Sequence, residues 1–131
     1  MNIEKLYTLY TQSYKVSTDT RKITQGCLFF ALKGANFNGN QFAEEALKKG
    51  AAYAIVDEKV YQTSPNIILV DDVLTTLQTL ATYHRKQLTV PIIGLTGSNG
   101  KTTTKELINA VLSTTYKVCA TKGNLNNHIG V

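Results

Sequence analysis

Ile92-Ile93-Gly94-Leu95-Thr96-Gly97-Ser98-Asn99-Gly100-Lys101-Thr102-Thr103-Thr104 is the stretch on which the fold of this chain turns. The apolar run after Pro91 predicts a short buried strand, and a glycine-rich turn follows it. Leu107, Ile108, Val111 and Leu112 then recur at helical spacing, so Lys-Thr opens a helix. Strand, glycine loop and helix N-terminus form the context in which a phosphate-binding loop is expected. Gly97 and Gly100 let the backbone turn tightly and approach a ligand closely. Amides of Ser98, Asn99 and the first helical turn then converge on one point, where unpaired donors and the helix dipole favour an anion. Lys101 would reach the terminal phosphates of a nucleoside triphosphate, the Thr102 hydroxyl would coordinate Mg2+, and Thr103 would complete the cradle. Leu95 stands where the strict phosphate-loop pattern has glycine, and Gly94 lies one residue too early.

Composition bounds the rest. In 131 residues, 43% are hydrophobic and 18% charged, the balance of a folded globular chain. No apolar run approaches a bilayer span, and the N-terminus carries no basic-then-apolar leader, so no membrane insertion and a cytoplasmic location are expected. The net charge of +5 is scattered, with no basic run longer than two residues. That distribution excludes a nucleic-acid groove and suits small polyanions. Cys27 and Cys119 lie in apolar, strand-like runs and are expected to be buried, reduced thiols.

Outward from the loop, the chain reads as an alternation. Residues 2–11 predict an amphipathic helix, Tyr14 to Thr18 a strand, and Cys27 to Leu32 a fully buried strand. The glycine- and asparagine-rich segment 33–40 reads as a loop. Phe42, Ala46 and Leu47 mark a helix that Gly50 closes. Ala51 to Val56 and Asn66 to Val70 are further strands. Asp71 or Asp72 caps a helix in which Val73, Leu77, Leu80, His84 and Leu88 share one face, and His84 there reads as a packing residue. Val90-Pro91 marks a junction. Residues 1–88 are therefore expected to be one small α/β domain. Residues 89–131, ending in the strand Tyr116 to Thr121 and an asparagine-rich tail, are the first βαβ unit of a doubly wound sheet. Two strands and one helix cannot cover both faces of such a sheet. The second domain is thus expected to be incomplete, and the chain a piece of a longer protein.

The loop from Gly94 to Thr103 resembles the ATP loop of the Mur ligases, the ATP-dependent amide-forming enzymes of bacterial peptidoglycan precursor synthesis. Folylpolyglutamate synthetases carry a similar loop, so the rest of the chain has to separate the two. Ser17-Thr18-Asp19-Thr20-Arg21, Gly26-x-Leu28-Phe29-Phe30-Ala31-Leu32-x-Gly34, Asn38-Gly39-Asn40-x-Phe42 and Ala46-x-x-x-Gly50-Ala51 resemble the UDP-binding N-terminal domain of the Mur ligases, which the folate enzymes lack. The usual pattern has Asp-Gly-His where this chain has Asn38-Gly39-Asn40. Thr104-Lys105-Glu106 and Lys122-Gly123-Asn124-Leu125-Asn126-Asn127-His128 are similar to the branch of the family that adds the closing D-Ala-D-Ala dipeptide.

The resemblance implies a UDP-binding domain over 1–88 and the start of the ATP-binding domain over 89–131. It implies an amide ligase that takes ATP, Mg2+, UDP-N-acetylmuramoyl-tripeptide and D-Ala-D-Ala, passes through an acyl phosphate, and works as a monomer in bacterial cytoplasm. Lys101 and Thr102 would carry the chemistry. Thr18, Asp19, Thr20 and Arg21 would meet the uridine diphosphate, and Asn124, Asn126 and Asn127 would line the cleft near substrate and phosphates. The related ligase that adds the third residue, and a phosphate-loop kinase or regulatory ATP-binding module, remain open at this point.

Overall fold

The computed structural model describes residues 2–123. Three residues of apolar sequence, Leu28-Phe29-Phe30, make the central strand β2, buried along its whole length. It lies between β1 (Val16–Ser17) and β5 (Tyr53–Val56), and β5 pairs with β6 (Ile67–Leu69). All three pairings are parallel, giving the order β1-β2-β5-β6. A parallel sheet of this kind is covered on both faces, and the alternation of side chains sorts the core accordingly. Cys27, Phe29, Ala31, Ala54 and Val56 face one side with Ala43 and Ala46 of helix α2 (Ala43–Lys48). Leu28, Phe30 and Ile55 face the other, against Leu6 of α1 (Ile3–Tyr10) and Val73 and Leu80 of α3 (Val73–Gln87).

The helices start where capping side chains stand. The Asn2 side chain accepts from Glu4 N–H at 3.0 Å, and the Asp72 carboxylate from Thr75 N–H at 2.6 Å, so Asp72 rather than Asp71 caps α3. His84 is half-buried, its Nδ1 3.2 Å from the Tyr7 hydroxyl, with the Tyr10 ring edge-on to it at 5.2 Å. Segment 33–40 is not an open loop. Strands β3 (Lys33–Gly34) and β4 (Phe37–Asn38) pair as an antiparallel hairpin, and a 3-10 turn over Gly39–Phe42 leads into α2.

The chain divides into two compact units, 1–88 and 89–131. In the second, α4 runs Lys101–Leu112 as the spacing predicts. The strands expected on either side of it do not form. Ile92 is 58% and Ile93 61% exposed, and neither 91–96 nor 116–121 pairs with another strand among the described residues. An extended segment becomes a strand only through a neighbour's hydrogen bonds, and apolar residues are buried only if something covers them. For the same reason Cys119 is exposed, against expectation, whereas Cys27 is buried and free.

Candidate functional site

In the first unit, Asp19 organises the segment after β1. Its carboxylate accepts from Arg21 N–H at 2.9 Å, capping the 3-10 turn Thr20–Lys22. The Arg21 guanidinium then folds back on the same carboxylate, donating from Nε at 2.9 and 3.2 Å and from Nη2 at 2.7 Å. These bonds hold the Asp19 carboxyl well below the usual carboxylate range. Ser17 Oγ donates to Asp19 O at 2.9 Å, tying the turn to the strand end. Arg21 itself is 85% exposed, so the guanidinium stands at the surface in a fixed orientation with donors to spare.

This turn borders an open cavity of about 610 Å³ lined by Thr18, Asp19, Thr20 and Arg21 on one side and Phe29, Phe37 and Phe42 on the other. The Phe37 and Phe42 rings stack with centroids 5.5 Å apart and planes 11° from parallel. All four polar residues predicted from the sequence thus meet at one cavity, at the carboxyl end of the short strand β1, where ligands bind in open parallel sheets. The aromatic wall is the part that sequence reading missed. Phe42 carries a helix signal and Phe37 lies in apparent loop, and only the hairpin turns them toward each other.

Behind that wall stands a buried polar network. Asn40, fully buried, donates from Nδ2 to Asn38 Oδ1 and to Asp57 Oδ1, each at 2.9 Å, and its Oδ1 accepts from Asp57 N–H at 2.9 Å. Lys33 Nζ lies 3.0 Å from Asp57 Oδ1, and Asn38 Nδ2 donates to Glu58 at 3.1 Å. Burial opposes charge on Asp57, but the bonds from Asn40, Lys33 and Val73 N–H outweigh it and keep the carboxyl pKa below its ordinary value. Asn38 and Asn40, where the family's usual motif has Asp and His, are members of this network.

The second unit carries the glycine loop. Gly100 caps α4 with φ of +78°, a conformation that L residues rarely adopt, and Gly97 has φ of +129°. Thr104 N–H makes the first intrahelical bond, to Gly100 O at 2.9 Å. The amides of Lys101, Thr102 and Thr103 precede that bond, so they have no partner within the helix and stand open with the positive end of its dipole. Lys101 Nζ bonds to Gly97 O and, at 3.5 Å, to Ser98 O, lying across its own loop. Thr102 and Thr103 are exposed. Among the described residues no cluster of carboxylate, histidine or cysteine side chains could hold a metal ion by itself. Glu106, the one acid after the loop, pairs with Lys105 at 2.8 Å. Lys105 Nζ also donates to Thr121 O at 2.5 Å and Gly123 O at 2.8 Å. Asn124, Asn126 and Asn127 lie outside the described residues.

Comparisons with known proteins match both units. The family described as "Mur ligase family, catalytic domain" covers residues 13–88, and "Mur ligase middle domain" covers 95–131. UDP-N-acetylmuramoyl-tripeptide–D-alanyl-D-alanine ligase of Bacillus subtilis is 50% identical over 123 residues, which are 92% of this chain and 27% of that protein. The enzyme of the same name from Escherichia coli is 44% identical over 116 residues, 88% of this chain and 25% of its own length. The chain therefore spans about a quarter of these relatives. Among solved structures, MurF ligase from Thermotoga maritima in complex with ADP superposes with a TM-score of 0.74 at 35% identity, covering 88% of this chain and 27% of that one. MurF from Acinetobacter baumannii gives 0.76 at 36% identity, covering 88% and 26%. With more than half of its length inside one family description and its glycine loop inside a second of the same family, the chain belongs to the Mur ligases.

Proposed function

We propose that this chain supplies the uridine-diphosphate-binding domain and the ATP loop of a ligase that joins D-Ala-D-Ala to UDP-N-acetylmuramoyl-tripeptide in bacterial cytoplasm. The observation that carries the reading is the pairing, in one chain, of a cavity built on Thr18–Arg21 with a glycine loop opening α4. Relatives named for that reaction share up to half of the residues.

The chemistry follows from charge. A carboxylate oxygen of the tripeptide attacks the γ-phosphorus of ATP, the bond to the bridging oxygen breaks, and ADP leaves. The dipeptide's neutral amine then attacks the acyl carbon, phosphate leaves with its electron pair, and the amine's proton passes to solvent. Two anions must meet in the first step, so cations and oriented amides carry most of the acceleration. Gly97, Ser98, Asn99 and Gly100 shape the cradle, and the amides of Lys101–Thr103 would bind the phosphates. Lys101 would exchange its loop carbonyls for phosphate oxygens. A lone hydroxyl is a ligand that magnesium takes alongside phosphate oxygens, so Thr102 would share Mg2+ with the nucleotide. The ion would neutralise charge developing between β- and γ-phosphates. At the other end of the substrate, Thr18, Thr20 and the fixed Arg21 fork suit a diphosphate, and the exposed Phe37 face suits a planar base.

Calorimetric titration of the chain tests the reading. UDP-N-acetylmuramoyl-tripeptide should bind with heat, and UDP alone more weakly. D-Ala-D-Ala should give no signal. Binding of ATP with no response to either uridine compound would replace the ligase reading with a plain ATP-binding module.

A further inference from the structure

Hairpin β3–β4 is too small to hold itself. It has two residues in each strand, registered Lys33 with Asn38 and Gly34 with Phe37, and a ladder of that length is marginal in water. Its faces are largely exposed, with Phe37 at 53%. Yet Phe37 forms one wall of the cavity. Something outside the hairpin has to set where that ring stands.

Both members of the Lys33–Asn38 register pair are anchored to the two residues that follow directly on β5, Lys33 to Asp57 and Glu58 and Asn38 to Glu58 alone. Lys33 Nζ lies 3.0 Å from Asp57 Oδ1 and 3.7 Å from Glu58 Oε1, and Asn38 Nδ2 donates to Glu58 Oε1 at 3.1 Å. Asn40 locks the base, since its buried amide bridges Asn38 Oδ1 and Asp57 Oδ1. The Asp57 side chain is only 4% exposed and is held in turn by Val73 N–H at the start of α3. A carboxylate so enclosed has one geometry, and whatever bonds to it inherits that geometry. Phe37 is adjacent in sequence to Asn38 and lies opposite Gly34 in the ladder. Its ring position is therefore set by the clamp at one end and by stacking on Phe42 at the other.

We propose that the Lys33–Asp57 ion pair and the Asn38–Glu58 bond position the Phe37 ring, so that the hairpin presents an aromatic wall to substrate across the cavity from Thr18–Arg21. This rests on reading the cavity as the site for the uridine-diphosphate end of the substrate. Lys33, Asn38, Asp57 and Glu58 are positioning residues. They need not touch the ligand, and they act through the place they give Phe37.

A double-mutant cycle on the 131-residue chain tests this, with UDP-N-acetylmuramoyl-tripeptide as the calorimetric probe. Phe37→Ala should weaken binding about tenfold, the scale of one base stacked on one ring. Lys33→Met should weaken it roughly threefold to fivefold, less than removing the ring, and Lys33→Arg should restore most of the loss. The decisive arm is Lys33→Met in the Phe37→Ala background, where the lysine change should have no further effect because its target is gone. Fluorine NMR with a fluorinated phenylalanine at position 37 adds a readout without ligand: its resonance should shift or broaden on Lys33→Met. A Lys33→Met loss of equal size in both backgrounds, or an unmoved fluorine signal, would overturn the positioning role. Failure of the unmutated chain to bind the probe, with the fluorine signal still responding to Lys33→Met, would overturn the substrate assignment of the cavity and leave the clamp standing as structure alone.

Discussion

Lys101 lies in the first turn of α4 with its ammonium on the carbonyls of Gly97 and Ser98. A cation at the mouth of three open amides is placed to stabilise charge on a transferring phosphoryl group. In a full-length ligase carrying this segment, Lys101→Ala should lower turnover by at least about 100-fold, the usual cost of losing a principal charge stabiliser. A phosphate-release assay measures it, and near-normal turnover would remove the loop from the chemistry. Arg21 is the residue whose geometry matters most at the other site. Its fork is held on Asp19 by three side-chain bonds, and lysine has no such fork. Arg21→Lys should raise KM for the UDP substrate and leave KM for ATP unchanged. Equal damage to both, with a lowered Tm, would mark the arginine as structural. Asp57 makes a prediction about pH. Its carboxyl lies below its ordinary 3.8 in the folded chain. The ionised form is thus favoured by folding, and its contribution is complete above about pH 4 and lost as pH falls through the folded value. The stability gap between wild type and Asp57→Asn, from urea melts, should narrow as pH falls from 6 toward about 3. A gap independent of pH would mean the carboxylate is not ionised in the network.

Among the elements, the turn into α2 is the most tightly constrained. A Cβ on Gly39 would lie 2.4 Å from Leu32 O and 2.7 Å from Ala31 C, both backbone atoms of the residues that follow β2. Gly39 N–H also donates to Leu32 O at 3.0 Å. Backbone cannot rotate away as a side chain could, so β2 or the hairpin must move. Gly39→Ala should cost about 3 kcal/mol, the upper end for overpacking. For a domain of this size that lowers Tm by roughly 10 °C or more, read by differential scanning calorimetry. An unchanged midpoint would show that the turn relaxes freely. The sheet elements behave differently, since each is specified twice: by a continuous apolar run and by helices on both faces. Helix α4 has the periodicity and little of the cover among the described residues: Leu107 is 63% and Val111 68% exposed, and Ile108 and Leu112 are only partly buried.

For the molecule as a whole, the expectation is binding without turnover. The chain spans about a quarter of the ligases it resembles, and no metal-holding cluster occurs among the described residues. Incubated with ATP, magnesium, UDP-N-acetylmuramoyl-tripeptide and D-Ala-D-Ala, it should release phosphate far more slowly than about 1 per second, an ordinary enzymatic rate. A rate at or above that figure would mean these residues suffice for catalysis. What the amino-acid order determined by itself was local and periodic. A cap at Asp71 or Asp72, the unbroken apolar run through Leu28–Phe30, the glycine loop before Lys101 and the polar segment Thr18–Arg21 all depend on residues within a few positions of each other, and all are legible in order along the chain. Tertiary structure decided the rest, because those features need partners far away in sequence. The segments around Ile92 and Tyr116 have strand composition, but no described strand bonds to them. Segment 33–40 has loop composition, yet forms a hairpin whose base bonds to Asp57 and Glu58, about 20 positions on. The Phe37–Phe42 wall is likewise a contact made across folded chain, and such a contact leaves no periodicity for a reader of the sequence to find.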